Sequence, residues 1–264
     1  MKDLQIVIPM TGGGYRFKKA GYTRLKPFIE VHNRPVIEWV VKMFKGDEDH
    51  IVFICRHDHL QTLDYVEKEL MRIAPKASIF AIKDWNKQGP AVDILKASSV
   101  IEDERPIIVS YCDYYMHWDY IGFKESLLAR DCDGSLPCYT GFHPNLIPDK
   151  NLYGTCKVDE KNNLIEIREK FSWNEDKTKD LVSPGVFYFK SGEILKKYCQ
   201  EMVDAKEEIN GEYYMSIPFN YLVKDGLKVW CPSNVNQFCQ WGTPEDLEDY
   251  LLWINSLEKM PRHN

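Results

Sequence analysis

The sequence predicts an α/β sandwich with a mostly parallel central sheet, and three observations support this fold class. Short apolar runs alternate along the first half with segments of helical periodicity. Several runs, such as PIIVSY, are apolar on both faces, which is typical of buried parallel strands. The chain has 264 residues, 44% of them hydrophobic, which is enough to bury a core without disulfide or metal staples.

The elements of the first half follow from this alternation. The opening run, Leu4–Pro9, is uninterrupted and predicts a fully buried strand. In Arg34–Phe44 the apolar residues recur on one helical face, and Pro35 suits the first turn of a helix. The other predicted elements are strands at His50–Cys55, Ser78–Ile82, Pro106–Tyr111 and Gly134–Tyr139, and helices at Leu60–Ile73, Ala91–Val100 and Tyr120–Arg130.

The second half mixes hairpin and helix signals. The turn Lys161-Asn162-Asn163 predicts a hairpin, Asp225-Gly226 predicts a turn before a short strand, and Thr243 suits the N-cap of a closing helix. The polar stretch Asn174–Asp180 predicts a mobile surface loop. Because no repeat or low-complexity linker interrupts the chain, we expect residues 1–264 to form a single domain. The predicted elements are strands at Thr155–Val158, Leu164–Ile167, Gly185–Lys190 and Leu227–Trp230, and helices at Ser191–Met202, Glu212–Lys224 and Pro244–Leu257.

Charge and cysteine usage narrow the class of protein. With 34 Lys and Arg against 40 Asp and Glu, the net charge is −6, which argues against nucleic acid and anionic membranes as partners. No apolar run approaches the ~18 residues that a membrane span needs. The eight cysteines form no CxxC pair, and several lie in apolar runs. We therefore expect free thiols and a cytoplasmic protein.

The glycine-rich segment after the first strand carries the strongest functional signal. From Gln5 to Ile29 there are five basic residues and no acidic one, around Gly12-Gly13-Gly14. Ligands bind beyond the carboxyl ends of such strands, and glycine N–H groups and cations both stabilise phosphate. The segment therefore predicts a polyphosphate site, with a solvated surface loop as the alternative. It is neither a P-loop nor a Rossmann fingerprint, because Phe17 replaces the last glycine and we expect the loop to stay irregular.

Asp113 follows another buried strand and is the candidate metal ligand. A carboxylate across from a phosphate site suits Mg²⁺, which takes few protein ligands and completes its shell with phosphates and water. A strand-end turn is the ordinary alternative. His117 and Asp119 could extend the site to a metal cluster, but Asp119 equally suits the N-cap of the helix at Tyr120.

Two further segments offer polar groups for a ligand. In WNKQGPAVDIL, Gln88 has a donor and an acceptor for a base edge and Gly89 permits close backbone approach, although Pro90 also fits an ordinary helix start. Glu169 can accept hydrogen bonds from sugar hydroxyls, and Lys170 can bind a phosphate. Such acid–base pairs are also frequent on surfaces.

Taken in order, these segments resemble the sugar-phosphate nucleotidylyltransferases, also called nucleoside-diphosphate-sugar pyrophosphorylases. The likeness covers residues 4 to about 254 and implies a three-layer α/β/α sandwich of the glycosyltransferase-A-like, Rossmann-like kind. The family loop GxGxRF…PKP stands here as Gly12-Gly13-Gly14-Tyr15-Arg16-Phe17 and Leu25-Lys26-Pro27. The other matching segments are the base-reading turn at Gln88-Gly89-Pro90-Ala91, the metal aspartate at Asp113, the sugar-phosphate pair at Glu169-Lys170 and the glycine strand at Ser183-Pro184-Gly185-Val186.

The resemblance implies a reaction between an NTP and a sugar 1-phosphate or similar phosphomonoester, giving an NDP-linked product and pyrophosphate. The first half, about residues 1–115, would bind the nucleotide, and about residues 116–264 would bind the acceptor. CTP, UTP and dTTP stay open as donors, and so does the oligomeric state. The implied residues are Arg16 and Lys26 for catalysis, Gly12, Gly13, Gly14, Gln88 and Gly89 for the nucleotide, Glu169, Lys170 and Gly185 for the acceptor, and Asp113 for Mg²⁺.

This sequence departs from the family pattern at two places that matter. Gln240 stands before Gly242-Thr243 where many relatives have an aspartate as second metal ligand, and an amide is the weaker ligand for magnesium. The run from Tyr111 to Trp118 resembles a branch associated with capsule and surface-polysaccharide synthesis. The alternatives are a cytidylyltransferase for phosphocholine or phosphoglutamine, a glycosyltransferase of the same broad fold, and a catalytically silent scaffold relative.

Overall fold

The computed structural model describes residues 4–146 and 151–258 of the chain. Short strands and helices alternate through most of it. The strands are β1 Gln5–Pro9, β2 Glu30–Val31, β3 Arg34–Pro35, β4 Ile51–Arg56, β5 Ser78–Ile82, β6 Ile107–Ser110, β7 Tyr114–Trp118, β8 Gly134–Ser135, β9 Gly154–Val158, β10 Leu164–Glu169, β11 Leu181–Ser183, β12 Val186–Phe189, β13 Val229–Trp230 and β14 Val235–Gln240. The helices are α1 Tyr15–Lys19, α2 Val36–Lys42, α3 His57–Thr62, α4 Tyr65–Ile73, α5 Pro90–Lys96, α6 Tyr120–Arg130, α7 Gly192–Asp204, α8 Pro218–Lys224 and α9 Pro244–Glu258.

A seven-stranded sheet forms the middle layer, in the order β13-β8-β12-β6-β1-β4-β5. Neighbouring strands are parallel except β12, which is antiparallel to β6 and β8. The three central strands β12, β6 and β1 are wholly buried, so they can be apolar on both faces. The predicted mostly parallel sheet is confirmed.

Helices cover both faces of this sheet. Along β1, Ile6 and Ile8 belong to one hydrophobic core and Val7 to the other, as the alternation of side chains in a strand requires. The first core includes side chains of α2, α4, α6 and α9, and the second includes side chains of α5, α7 and α8. The molecule is therefore a three-layer α/β/α sandwich, as the resemblance implied.

Helix boundaries in the first half differ from prediction where turns interrupt the period. The helix predicted at Arg34–Phe44 begins at Val36, because β3 pairs with β2 as a hairpin. The helix predicted at Leu60–Ile73 is divided into α3 and α4, because Leu63 leaves the helical conformation with φ −125° and ψ 87°. The helix predicted at Ala91–Val100 ends at Lys96 and is followed by a single 3₁₀ turn.

The glycine segment is not irregular throughout, contrary to expectation. Helix α1 follows its glycines, with Phe17 buried in the core at 1% exposure. The basic residues Arg16, Lys18 and Lys19 of this helix are exposed. One apolar contact and solvated cations thus suffice to order a short helix there.

In the second half the predicted hairpin is confirmed as β9–β10, but other boundaries shift. The predicted strand Gly134–Tyr139 is regular only in β8. The helix predicted from Glu212 begins at Pro218, because Glu212 forms an isolated bridge with Ile209 and Pro218 takes the first helical turn. The stretch Asn174–Asp180 is anchored by Asp180, which is buried with 1% exposure. Its carboxylate accepts hydrogen bonds from the backbone N–H groups of Trp173 and Asn174. Strands β2, β3, β7, β11 and β14 were not predicted from the sequence.

The topology places two predicted segments side by side. Strands β1 and β6 are parallel neighbours, with Val7 opposite Val109. Their carboxyl ends therefore open onto the same edge of the sheet, one leading into the glycine segment and the other into Asp113. Strand β14 pairs with β7 and brings Gln240 opposite Tyr114, next to the same edge.

The cysteines are free, as expected, and most are buried. Cys138, Cys156 and Cys231 bring their sulfur atoms within 4.8 Å of one another. Burial raises the pKa of the Cys231 thiol, and all three lie in the second hydrophobic core, so we interpret them as packed apolar side chains. Within the described ranges, no helix is both long and apolar enough to cross a membrane.

Candidate functional site

Two cavities open at the carboxyl edge of the sheet. We call the first the glycine-loop cavity; it has a volume of about 330 Å³ and its wall includes Gly12, Gly13, Lys26 and Gly89. We call the second the Glu169 cavity; it has a volume of about 290 Å³ and its wall includes Glu169 and Lys170. The structure thus places Gly12, Gly13 and Gly89 around one space and Glu169 and Lys170 around an adjacent one.

The two cavities meet at a shared junction. Arg16, Tyr111, Asp113 and Tyr214 line both of them. Arg16 comes from α1, Tyr111 and Asp113 follow β6, and Tyr214 precedes α8. A molecule in one cavity and a molecule in the other would both contact these four side chains.

An ion pair occupies this junction. Lys26 Nζ lies 2.6 Å from Asp113 Oδ2, and both side chains are about one-fifth exposed. Burial lowers the pKa of the Lys26 ammonium, but the neighbouring carboxylate of Asp113 outweighs it and the pKa is raised overall. The lysine is therefore charged at neutral pH and neutralises Asp113 in the ligand-free protein.

Gln240 and Gly242 lie beside Asp113. The N–H of Trp241 donates to the Asp113 carbonyl at 3.0 Å, which fixes the end of β14 against this loop. A Cβ added at Gly242 would lie 2.6 Å from Gln240 Nε2 and 3.2 Å from Asp113 Oδ2. The glycine therefore keeps open a small space faced by a carboxylate and an amide.

This donor set fits a magnesium ion that is held mainly by phosphates. Asp113 offers one carboxylate, and the Gln240 amide can present its oxygen after rotation. Around Asp113 no group of three His, Cys, Asp or Glu ligands forms within residues 4–146 and 151–258, so His117 and Asp119 do not extend the site. Asp119 instead caps α6, accepting the Gly122 N–H at 2.9 Å. Such a sparse set suits Mg²⁺ and not a structural metal.

The glycine segment contributes backbone and two cations, Arg16 and Lys26, to the glycine-loop cavity. Gly12 and Gly13 line it, whereas Gly14 begins α1 and packs against Lys26. Arg16 reaches the junction, is exposed, and makes no ion pair with any residue of the described part of the chain. Its guanidinium is therefore available to an anionic ligand.

The segment from Trp85 to Asp93 forms another wall of the glycine-loop cavity. Trp85 and Gly89 line it. The Gln88 side chain does not line this cavity. The backbone carbonyl of Gln88 accepts a hydrogen bond from the Tyr213 N–H at 2.8 Å. Gly89, with φ 96°, lies so close to Tyr213 that an added Cβ would be 2.6 Å from the Tyr213 nitrogen. The glycine thus allows the turn to pack directly on the chain before α8.

Glu169 and Lys170 lie together in the second cavity. Glu169 accepts a hydrogen bond from the Ser216 hydroxyl. Burial raises the pKa of the Glu169 carboxyl, while Ser216 and Lys170 offset part of this increase. Lys170 is exposed, and its ammonium lies 5.5 Å from the centroid of the Tyr214 ring.

Gly185 does not line either cavity, but it packs against Tyr111, which lines both. The Tyr111 N–H donates to the Gly185 carbonyl at 3.0 Å. Gly185 has φ 130°, and an added Cβ would lie 2.9 Å from Tyr111 Cδ2. The absence of a side chain lets the Tyr111 ring pack into the junction.

A family model described as Nucleotidyl transferase matches residues 6–230 of the chain. The chain belongs to the nucleotidyl transferase family. Its structure is similar to that of a nucleoside-diphosphate-sugar pyrophosphorylase from Vibrio cholerae RC9, with a TM-score of 0.74 and 23% identity over 94% of this chain and 100% of that one. It is also similar to a UDP-glucose pyrophosphorylase solved with UDP-glucose, with a TM-score of 0.72 and 15% identity over 97% and 100% of the two chains. At these identities the likeness shows the fold.

A curated relative matches only in part. The Bifunctional protein GlmU of Methanocaldococcus jannaschii is 20% identical over 225 residues, which are 84% of this chain and 47% of that protein. The chain spans about half the length of this relative. The predicted family and fold are confirmed.

For this nucleotidyl transferase, sequence reasoning missed several residues of the two cavities. Tyr111 and Tyr214 line the junction, and Thr11 and Asp93 line the glycine-loop cavity. Tyr111 has a usable signal, since it stands two residues before Asp113 at the same strand end. Tyr214 has none, because the turn before α8 brings it to the site from far along the chain.

Proposed function

We propose that this chain transfers a nucleotidyl group from a pyrimidine NTP to a small phosphorylated acceptor, such as a sugar 1-phosphate, and releases pyrophosphate. The observation that carries the proposal is the junction, where Arg16 and Asp113 face two cavities at once. A transferase for two phosphorylated substrates needs both phosphates at one place. The family name supports the same reaction class.

The reaction is an in-line displacement at the α-phosphorus. An oxygen of the acceptor phosphate forms a bond to this phosphorus as the bond to the β-phosphate bridging oxygen breaks, and pyrophosphate leaves. The acceptor phosphate is largely dianionic at neutral pH, since its second pKa is about 6, so no general base is needed. Positioning and charge neutralisation then supply the catalysis.

Lys26 and Arg16 neutralise the reacting phosphates in this proposal. Lys26 lies 2.6 Å from Asp113 and can exchange this partner for the α-phosphate and the acceptor phosphate. Arg16 binds the β- and γ-phosphates and the leaving pyrophosphate. Asp113, with Gln240, would hold Mg²⁺, which supplies further neutralisation of the phosphate charge when bound.

The remaining predicted residues shape the two substrate pockets. Gly12, Gly13 and Gly14 offer backbone N–H groups, and Gly89 lies at the wall that would face the base, whereas the Gln88 side chain, outside the cavity wall, has no role there. Glu169 binds acceptor hydroxyls, Lys170 binds the acceptor phosphate, and Gly185 sets the position of Tyr111. We propose that residues 1–264 work as one domain, with the nucleotide and acceptor halves meeting at the junction.

The biological setting is part of this proposal. We place the protein in the cytoplasm, making precursors for capsule or another surface polysaccharide. The aromatic run from Tyr111 to Trp118 and the family's sugar-nucleotide members support this setting.

An acceptor with a cationic head is a second candidate, and the wall of the Glu169 cavity favours it. Tyr111, Tyr153, Phe187 and Tyr214 present aromatic side chains there, beside the carboxyl of Glu169. Aromatic faces with a nearby carboxylate bind quaternary ammonium groups such as choline. Phosphocholine therefore belongs beside sugar phosphates in any substrate screen.

The test is a screen of NTPs against sugar 1-phosphates, phosphocholine and phosphoglutamine, with pyrophosphate release as the readout. We expect release with one pair, and loss of at least about 100-fold in Asp113→Asn, since charge-stabilising groups contribute about that much. Asp119→Asn is the matched control, because Asp119 is exposed, lies outside both cavities and caps α6 as asparagine also can. Unchanged release in Asp113→Asn contradicts the role of Asp113.

Other outcomes separate the alternatives. Release of an NDP from a nucleotide sugar, without pyrophosphate, would identify a glycosyltransferase. Nucleotide binding without any turnover across the panel would identify a silent relative.

A further inference from the structure

A buried carboxylate in the glycine-loop cavity has no part in the proposed displacement. Asp93, in α5, is 3% exposed and lines the cavity. It accepts a hydrogen bond from the hydroxyl of Thr11, which lines the same cavity. Asp93 has no ion pair with any cation in the described ranges. A buried carboxylate without a cation is costly, so its presence in a ligand cavity calls for a ligand partner.

The position of Asp93 within the cavity indicates which part of a nucleotide it meets. The reacting phosphates belong at the junction, beside Arg16 and Asp113. Trp85, Gly89 and Asp93 line the glycine-loop cavity and not the Glu169 cavity, so they lie away from the transfer point. The base of a nucleotide whose phosphates occupy the junction therefore faces this wall.

The same wall has the other groups that a base needs. The Trp85 ring offers an aromatic surface for stacking, and the Arg56 guanidinium, 4.1 Å from its centroid, holds the ring in place. Gly89 allows the backbone to approach. A carboxylate at such a wall selects among bases, because it only accepts hydrogen bonds when ionised.

We propose that Asp93 selects a base with an exocyclic amino group, so that the nucleotidyl donor is CTP and not UTP or dTTP. The cytosine amino group would donate to the Asp93 carboxylate, while Thr11 donates to the same side chain and fixes its orientation. Uracil and thymine present a carbonyl oxygen at this position, which an ionised carboxylate repels. This inference rests on the proposed function, since it assumes that the cavity binds an NTP.

The test measures dissociation constants of CTP, UTP, dTTP, ATP and GTP with Mg²⁺ and without acceptor. We expect CTP to bind at least about tenfold more tightly than UTP, as one hydrogen bond to a charged group allows. In Asp93→Asn the side-chain amide can donate to the uracil oxygen, so the ratio of the UTP to the CTP constant should fall at least about tenfold. Asp84→Asn, which removes an exposed carboxylate outside the cavity wall, should leave the ratio unchanged.

Several results would overturn the inference. Equal weakening of all nucleotides in Asp93→Asn shows a structural role, and tightest binding of ATP or GTP excludes the pyrimidine assignment. A loss seen with CTP but not with 2′-deoxy-CTP shows that Asp93 binds the ribose. If Asp93→Asn does not fold, the wild-type protein decides, because equal binding of CTP and UTP refutes the proposal.

The failure of this inference and the failure of the proposed function are distinguishable. Pyrophosphate release at equal rates with CTP and UTP keeps the function and refutes the role of Asp93. A strong CTP preference in binding without turnover keeps the role of Asp93 and refutes the function.

Discussion

Replacement of Gly89 by alanine should destabilise the protein by an amount that the structure lets us estimate. Gly89 has φ 96° and ψ 168°, a conformation that only glycine adopts readily. An added Cβ would lie 2.6 Å from the nitrogen and 2.8 Å from the oxygen of Tyr213, both backbone atoms. The chain at Tyr213 must therefore move away from α5.

That movement breaks defined interactions. The Tyr213 N–H donates to Gln88 at 2.8 Å, and the Ala91 N–H donates to Tyr213 at 3.3 Å. Backbone strain of about 1–3 kcal/mol and two lost hydrogen bonds at about 1 kcal/mol each give a cost of about 3–5 kcal/mol for Gly89→Ala. The matched control is Gly226→Ala, where φ is 78° and no atom lies within 4 Å of the added Cβ. Its cost should be only the conformational term of about 1 kcal/mol.

Urea unfolding followed by circular dichroism measures both variants against the wild-type protein. We expect the free energy of unfolding of Gly89→Ala to fall at least about 2 kcal/mol below that of Gly226→Ala, since the expected costs are about 3–5 and about 1 kcal/mol. Equal losses in the two variants would show that the turn at Gly89 relaxes without separating from Tyr213. In that case the close approach does not contribute to stability.

Three further predictions concern the cavities. In Gly185→Ala the added Cβ would lie 2.9 Å from the Tyr111 ring and should displace it. KM for the acceptor should therefore rise more than KM for the nucleotide, and equal changes in the two constants would contradict this prediction. Gly242→Ala should fill the space beside Asp113 and reduce kcat at least tenfold, with little loss of stability. A tenfold loss corresponds to a rise of about 1.4 kcal/mol in the activation free energy. A magnesium dependence of kcat equal to that of the wild-type protein would refute this prediction. Burial raises the pKa of Asp93 to about 6 from 3.8, so the folded protein binds more protons than the unfolded chain between these values. Wild-type stability relative to Asp93→Asn should therefore fall by about 2 kcal/mol as pH rises from 4 to 7. Parallel pH profiles of the free energy of unfolding would show that Asp93 is solvated.

The sequence predicted the features that local rules control. Buried parallel strands such as β1 and β6 have continuous apolar runs, and cavity-lining residues follow their carboxyl ends, so Gly12 and Asp113 could be found without a structure. The caps at Asp119 and Thr243 follow equally local chemistry and are confirmed. These predictions depend only on neighbouring residues.

The features that the sequence did not predict depend on pairing between distant segments. The run Tyr114–Trp118 contains five aromatic, sulfur or imidazole side chains without a clear period, and it becomes β7 only because Val235–Gln240 pairs with it. Glu212–Lys224 has a helical pattern, but the contact of Tyr213 with Gln88 and Gly89 holds its first part in an extended turn. For the same reason Tyr214 reaches the junction without any sequence signal.

The charges at the junction indicate how an acidic protein could bind the acidic substrates that we propose. Five cations lie between Gln5 and Ile29, but the fold treats them differently: Arg24 pairs with Glu30, Lys26 pairs with Asp113, and Arg16 faces both cavities. The Lys26–Asp113 pair holds a lysine and a carboxylate together without a net charge, so that their mutual attraction offsets the desolvation cost that each would carry alone. In the proposed reaction the lysine would gain two phosphate groups as partners, and Asp113 would be freed for a cation. In the proposed function, phosphate binding depends less on the net charge of −6 than on this junction, where one ion pair would open to accept a phosphate on one side and a metal on the other.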